Sequence, residues 1–219
     1  TKNMQVKADE PRGSLLTSRI LWTFSAAHRK YPSQEYMEMA RWAYQDLVVH
    51  FKDREKGGYY WTITAGGKPE DSRKQVYGQA FAIYALAEYY RATGDEAALG
   101  EAREVFALLE KHAHDSVNGG YFDVLDRDWR REDGAKTNVL GPGSKSQNSH
   151  IHILEAFSNL LRVWPDGQLK LRQRELIELM LGRSVDARHH LVLFMKDDWV
   201  PVSRECSYGH DIELSWLLV

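Results

Sequence analysis

The sharpest chemical signal in the chain is the pair His210 and Glu213, within Ser207-Tyr-Gly-His-Asp-Ile-Glu213. Residues three apart on a helix lie on one face, so both side chains can address the same ligand. A histidine can exchange a proton with carbon or oxygen near neutral pH, and a neighbouring carboxylate can fix its tautomer and raise its basicity. The spacing equally suits a pair that only supports its helix, and both interpretations stay open at this point.

A second candidate is the segment Asn148-Ser-His-Ile-His152. Helix positions two apart point about 200° away from each other, so His150 and His152 cannot both face one small site. Asn148 and His152 are four apart and can share a face. Because the two imidazoles diverge and no third ligand is evident, we expect no metal and no other cofactor. We expect His150 to have a core or capping role.

Two further polar residues lie in apolar helical segments. Arg19 is within Ser18-Arg-Ile-Leu-Trp-Thr-Phe24, where a guanidinium needs an anion, a carboxylate or a path to solvent. A structural salt bridge is the ordinary answer, and a fixed cation that meets negative charge on a substrate is the alternative. Tyr77 begins the next apolar segment and is either a donor at a rim or an ordinary polar group of the core.

Several other function classes have no motif support. The chain contains no GxGxxG, GxxxxGK[ST] or GxSxG pattern, and its single cysteine, Cys206, excludes an intrachain disulfide and a cysteine-based metal cluster. A glycosidase-like pair of carboxylates stays open, because acidic residues are scattered at Asp123, Asp126, Asp128 and Glu155.

The composition is that of an ordinary globular protein with an excess of aromatic rings. The 219 residues carry a formal net charge of -2, which argues against nucleic acid as a partner, and no apolar run reaches membrane-spanning length. The use of cysteine suggests a reducing compartment, so we expect a cytoplasmic location. The 7 Trp, 11 Tyr and 7 Phe suit packing against sugar rings as well as a large helical core. A sugar is therefore the expected partner.

The hydrophobic patterning predicts two kinds of helix. Four segments are apolar on all sides, as helices enclosed by others should be: 15–29, 77–91, 149–162 and 208–219. Three amphipathic segments lie between them: 33–51, 95–112 and 167–182. Gly57-Gly58 and Gly119-Gly120 each precede a short aromatic strand, and a weaker third copy of this theme follows His189.

Alternating enclosed and amphipathic helices predict two concentric layers, an all-α toroid of inner and outer helices with short β-ribbons at one rim. The pattern predicts four inner and three outer helices. We expect residues 1–219 to form a single domain, the N-terminal portion of an α/α barrel. The chain stops at Val219 inside an apolar helix without a cap, so the barrel is expected to be truncated there.

Four segments, taken in order, resemble the cellobiose 2-epimerases of the N-acylglucosamine 2-epimerase superfamily. They are 19–29, 77–86, 145–156 and 207–213, and the likeness runs over essentially the whole chain. The resemblance implies an (α/α)6 barrel. It also implies cofactor-independent epimerisation at C2 of the reducing-end sugar of β-1,4-linked disaccharides such as cellobiose and lactose.

The same resemblance implies roles for particular residues. His210 would be an acid/base group and Arg19 would bind near O1 and O2 of the sugar, while the substrate-binding residues would be Glu213, His152, Asn148 and Tyr77. A second catalytic histidine and the substrate-stacking tryptophans of the family come from the carboxy-terminal half of the barrel, beyond Val219. The sequence predicts no oligomeric state.

Three alternative functions stay open. An aldose–ketose isomerase of the mannose isomerase type would share the fold and the enediolate but return the proton to C1. A glycoside hydrolase on an α/α barrel would add water. A non-catalytic carbohydrate-binding fragment would bind a sugar without turnover.

Overall fold

The computed structural model of the protein describes residues 9–131 and 141–219. Within these residues it contains seven α-helices: α1 (Ser14–Lys30), α2 (Gln34–Asp46), α3 (Val76–Thr93), α4 (Glu96–Leu108), α5 (Gln147–Leu161), α6 (Gly167–Arg183) and α7 (Tyr208–Leu217). Helices α2 and α4 each continue into one π-helical turn, at Leu47–Phe51 and Leu109–Ala113. The bounds agree closely with the segments expected from the periodicity.

The helices form an inner and an outer layer. Helix α1 packs on α3, α3 on α5 and α5 on α7, whereas α2, α4 and α6 each pack on the inner helix that precedes them. Helix α3 is enclosed by α1, α4 and α5, and almost every residue from Val76 to Tyr89 is buried. On the outer helix α4 only one face is buried, through residues such as Ala98, Ala102 and Phe106. This arrangement confirms the predicted partial α/α barrel.

Short antiparallel ribbons cover one rim of the barrel. Strands β1 (Arg12–Gly13), β2 (Thr62–Ile63) and β3 (Pro69–Asp71) form one sheet; β4 (Lys74–Gln75) pairs with β5 (Val124–Leu125), and β6 (Lys145–Ser146) pairs with β7 (Phe194–Met195). Each ribbon joins the strand that precedes an inner helix to a strand that follows the next outer helix. The chain therefore repeats one unit of strand, inner helix, outer helix and strand.

The turns after α2 and α4 need glycine for two reasons. Gly58 and Gly120 have φ of 66° and 73°, a left-handed conformation that glycine adopts without strain. A Cβ at either residue would also lie 2.6 Å from the ring of Trp129 or Trp199, respectively. The third turn lacks a glycine pair, as expected, and places His189 at φ 65° instead.

One side chain of the following inner helix closes each of these turns. The acceptor differs in each repeat: Gln79 Oε1 accepts from the Tyr59 N–H (2.9 Å), His150 Nε2 from the Tyr121 N–H (3.0 Å) and Asp211 Oδ1 from the Leu191 N–H (2.8 Å). An amide, an imidazole and a carboxylate thus accept from the equivalent backbone N–H group of the three turns. The core role expected for His150 is confirmed.

Two of the turns also enclose a buried lysine. The Lys145 ammonium donates to Asp115 Oδ2 (2.7 Å) and to the carbonyl oxygens of Gly119 (2.7 Å) and Asp197 (2.6 Å), so its three protons are all used. Lys145 is 0% exposed. Lys74 repeats the arrangement with Asp53 (3.0 Å) in the first turn. Each lysine thus links the strand that precedes an inner helix to the turn that follows the preceding outer helix.

His150 makes the stability of the fold depend on pH. Burial lowers its pKa from 6.5 to about 4, and the contacts explain this, because Nδ1 donates to the Ser146 carbonyl while Nε2 must stay unprotonated to accept from Tyr121. The pKa is lower in the folded than in the unfolded chain. The neutral ring therefore contributes its full stability above about pH 6.5, and about 3 kcal/mol is lost as the pH falls towards 4.

We expect His150→Gln to remove much of this acid sensitivity while keeping the turn, because Gln79 already does the same task in the first repeat. Urea unfolding at a series of pH values measures the effect. His189→Asn, at an exposed position, is the control and should keep the wild-type slope. An unchanged slope in His150→Gln would show that other groups cause the acid sensitivity.

Candidate functional site

The site is built from one level of the inner helices. The sixth residue of each inner helix points into the same cavity: Arg19 on α1, Phe81 on α3, His152 on α5 and Glu213 on α7. The ninth residues of α1, α3 and α5 line it one turn deeper. We call this space, of about 290 Å³, the central cavity; its lining is Arg19, Trp22, Thr23, Phe81, Tyr84, His152, Glu155 and Glu213.

Arg19 brings a cation into the central cavity. Its guanidinium donates to the Tyr77 hydroxyl (3.2 Å) and lies 4.7 Å from the centre of the Phe81 ring. Among the described residues no carboxylate lies within 4.0 Å of it, so those residues provide no structural salt bridge. Burial raises the pKa of Tyr77, which keeps its hydroxyl protonated against the opposing effect of Arg19. In this part of the chain the guanidinium is thus placed to meet an anionic oxygen.

His152 is held between aromatic rings and two carboxylates. It is 6% exposed, and its ring centre lies 4.7 Å from that of Phe81 and 5.2 Å from that of Tyr77. Its Nδ1 is 3.0 Å from Glu155, and its Nε2 is 3.7 Å from Glu213. Four of the predicted site residues, Arg19, Tyr77, His152 and Glu213, are thus connected through contacts at the central cavity.

His210 lies one turn nearer the rim than Glu213, in the first turn of α7. It is half-buried and does not line the central cavity itself. The Gln147 amide, at the start of α5, is 2.7 Å from His210 Nδ1, and Gln147 is 1% exposed. Ser207 caps the helix by accepting from the His210 N–H. The contact with Gln147 consequently fixes the His210 ring through Nδ1.

Asn148 is not brought into this set. It is half-buried in the first turn of α5 and does not line the central cavity, although it lies four residues before His152. The expected divergence of the two histidines of α5 is confirmed, because His150 turns to the buried Tyr121 N–H while His152 faces the cavity. The substrate contact expected of Asn148 stays a prediction.

Sequence reasoning missed several lining residues and gave Glu155 no role beyond that of a scattered acid. The signal that finds them is the register of the inner helices: counting six residues from each start gives the upper level, and counting nine gives the lower one. Trp22 and Tyr84 of the lower level stack with ring centres 5.1 Å apart. Aromatic faces beside charged groups suit a sugar ring, with its apolar C–H faces and polar hydroxyls.

Residues 9–131 and 141–219 contain no group of three or more His, Cys, Asp or Glu side chains arranged to hold a metal ion. In the same residues no helix has the length and apolar character needed to cross a membrane.

Known proteins resemble this chain in sequence and in fold. The model of the N-acylglucosamine 2-epimerase (GlcNAc 2-epimerase) family matches residues 1–219. A cellobiose 2-epimerase of Bacteroides fragilis is 43% identical over 94% of this chain and 53% of its own length. The solved structure of cellobiose 2-epimerase from Bacillus thermoamylovorans B4167 superposes with a TM-score of 0.93 at 37% identity, covering 99% of this chain and 56% of that one.

A D-mannose isomerase of Marinomonas mediterranea is more distant, at 27% identity over 64% of this chain and 32% of its own length. The chain spans about half the length of the two cellobiose 2-epimerases. The family match, these identities and the shared fold lead to one conclusion. The chain belongs to the N-acylglucosamine 2-epimerase family.

Proposed function

We propose that the protein is a sugar epimerase that inverts C2 of the reducing-end glucose of β-1,4-linked disaccharides such as cellobiose and lactose. The observation that carries this proposal is the convergence of Arg19, His152 and Glu213 on the central cavity. Tyr77 contacts Arg19 and His152, and His210 lies one turn before Glu213 on α7. The relatives named cellobiose 2-epimerase support the choice of reaction and of substrate class.

The reaction begins with the open-chain aldehyde of the sugar. His210 removes the proton from C2 through Nε2, for which the Gln147 amide presents its otherwise unpartnered oxygen to Nδ1–H. The electron pair of the C–H bond forms the C1–C2 double bond of a cis-enediolate while negative charge develops on O1. Arg19 stabilises that charge, because its guanidinium has no carboxylate partner among the described residues. A positioned acid or base of this kind contributes a rate factor of about 10² to 10⁴.

Inversion needs a second proton donor on the opposite face of C2. When that donor delivers its own proton to C2, the double bond is lost, the aldehyde is restored and the configuration is inverted, while the proton taken from the substrate stays on His210 and exchanges with solvent. We expect this group from the second half of the barrel, as the family resemblance implies. Glu213, His152, Asn148 and Tyr77 would hold the sugar hydroxyls, so that C2 faces His210. The mechanism requires neither a metal nor a nicotinamide.

Deuterium labelling tests the proposal. We expect the full-length protein, incubated with cellobiose in D2O, to form the C2 epimer with deuterium at C2, because the proton passes through bases that exchange with solvent. NMR and mass spectrometry locate the label. Epimer without label at C2 would contradict the proton-transfer mechanism.

The other products separate the alternatives in the same experiment. A ketose that carries deuterium at C1 would identify an aldose–ketose isomerase, and free glucose would identify a hydrolase. Binding of cellobiose in calorimetry with no product would favour a carbohydrate-binding protein. Each of these results would overturn the epimerase proposal.

A further inference from the structure

We propose that Glu155 is a positioning residue, whose carboxylate keeps the proton of His152 on Nδ1 and thereby directs Nε2 into the central cavity. The inference deepens the proposed function and rests on it, since it assumes that a sugar occupies this cavity. It assigns a task to a carboxylate that neither the C2 chemistry nor the sugar contacts above use.

The side chains of Glu155 and His152 are in direct contact. Glu155 Oε2 lies 3.0 Å from His152 Nδ1, and the side chains are 16% and 7% exposed. They are three residues apart on α5, so one face of the helix fixes their geometry. An ionised carboxylate can only accept a hydrogen bond, so Nδ1 must be the nitrogen that carries the proton.

Glu155 lies beside packed aromatic rings of two other inner helices. Tyr84 of α3 and Trp22 of α1 line the central cavity with Glu155, and their rings stack on each other. Burial, and then the negative charge of Glu155, raise the pKa of Tyr84 far above its ordinary value, so the hydroxyl stays protonated. A carboxylate next to these packed rings is suited to orient an imidazole.

The second ring nitrogen of His152, Nε2, faces Glu213 in the central cavity. Phe81 and Tyr77 flank the ring of His152, and Nε2 is 3.7 Å from Glu213, too far for a direct hydrogen bond. The charged groups that share the cavity with this imidazole are Glu155 on its own helix, Arg19 on α1 and Glu213 on α7. A hydroxyl placed between Nε2 and Glu213 would find an acceptor on each side.

The comparison among the four described inner helices supports the pairing. Only α5 has a histidine at its sixth residue, and only α5 has a carboxylate at its ninth. The ninth residues of the other three are aromatic: Trp22, Tyr84 and Trp216. The carboxylate thus occurs on the same helix as the histidine that needs an orienting partner.

The tautomer of His152 in the full-length protein, read from its ¹⁵N NMR signals at a pH where the ring is neutral, tests the inference. We expect the Nδ1–H form in the wild type and a shift towards the Nε2–H form in Glu155→Leu, which has no acceptor. Glu155→Gln keeps an acceptor oxygen and should keep the tautomer. We expect kcat of Glu155→Leu to fall by roughly 10- to 100-fold, as for other carboxylates that orient histidines, and that of Glu155→Gln to fall less.

Glu175→Gln is the matched control, since Glu175 pairs with His114 over the same 3.0 Å far from the cavity. It should leave the His152 signals and kcat unchanged. The inference is overturned if the His152 tautomer is the same in Glu155→Leu as in the wild type. Should that variant not fold, the smaller Glu155→Ala, which also lacks an acceptor, decides: a wild-type His152 tautomer there would overturn the inference. A tautomer shift in a protein that forms no epimer would support the positioning role and contradict only the proposed function.

Discussion

Replacing His210 by Asn should slow deuterium incorporation at C2 of cellobiose by about 10² to 10⁴-fold, the usual contribution of a positioned acid or base. Asparagine cannot take up a proton at neutral pH. Its side-chain amide can form a hydrogen bond with Gln147, whose amide lies 2.7 Å from Nδ1 of His210 in the wild type. We therefore expect the fold to be kept while proton transfer fails. The rate of label uptake, followed by NMR in D2O, measures the effect directly.

His112→Asn is the control for this experiment. His112 lies at the end of an outer helix, where its ring stacks on Trp129 with centres 5.5 Å apart. It has no contact with the central cavity, and its replacement should leave label uptake at the wild-type rate. Full label uptake in His210→Asn would remove His210 from the mechanism, whereas equal thermal unfolding midpoints of the two variants would show that any loss is chemical.

The second large effect concerns stability. Lys145→Ala should destabilise the fold by about 3–5 kcal/mol, because it leaves the Asp115 carboxylate buried without its cation. Asp115 is 5% exposed, and its contacts with Lys145 and with backbone N–H groups lower its pKa to about 2 against the opposing effect of burial, so it stays charged at neutral pH. Urea unfolding at pH 7 measures the loss.

Two further variants separate charge from packing. The double variant Lys145→Met/Asp115→Asn removes both charges of the buried pair. Its asparagine oxygen can still accept hydrogen bonds from the N–H groups of Val117 and Asn118, as Asp115 does in the wild type. We expect this pair of changes to cost less than Lys145→Ala. Lys170→Met, at an exposed position, should stay within about 0.5 kcal/mol of the wild type. A loss of that small size in Lys145→Ala would contradict a structural role of the buried pair.

The periodicity of apolar residues was sufficient to predict the helices and their layers. Helix α3 is apolar on all sides and is enclosed, whereas α4 has one apolar face and lies outside, because burial follows the number of neighbours a helix has. The glycine pairs likewise predicted the turns, since φ above zero is cheap only for glycine. What the sequence pattern did not contain was the pairing of the ribbons, because two-residue strands are too short for a period of two to be recognised.

The candidate site was predictable only in part. Arg19, His152 and Glu213 stood out as polar groups in apolar helices, and the structure brings them to one level. The buried lysines were not anticipated, because Lys74 and Lys145 precede the helices and nothing in their neighbours indicates burial. The partner of His210 was also missed, since Gln147 is 63 residues away in the sequence and only tertiary packing brings the two side chains together.

The inner helices line the central cavity with side chains at two levels, and this arrangement affects how selectivity among sugars can be altered. Helices α1, α3 and α5 each supply their ninth residue to the lower level of the central cavity, so single substitutions there change the size of that level. The ring of Trp22 stacks on that of Tyr84 there, and neither belongs to the proton-transfer groups. A small library at position 22 would change how deep a sugar enters the central cavity, while Arg19, His152 and Glu213 on the upper level keep their places.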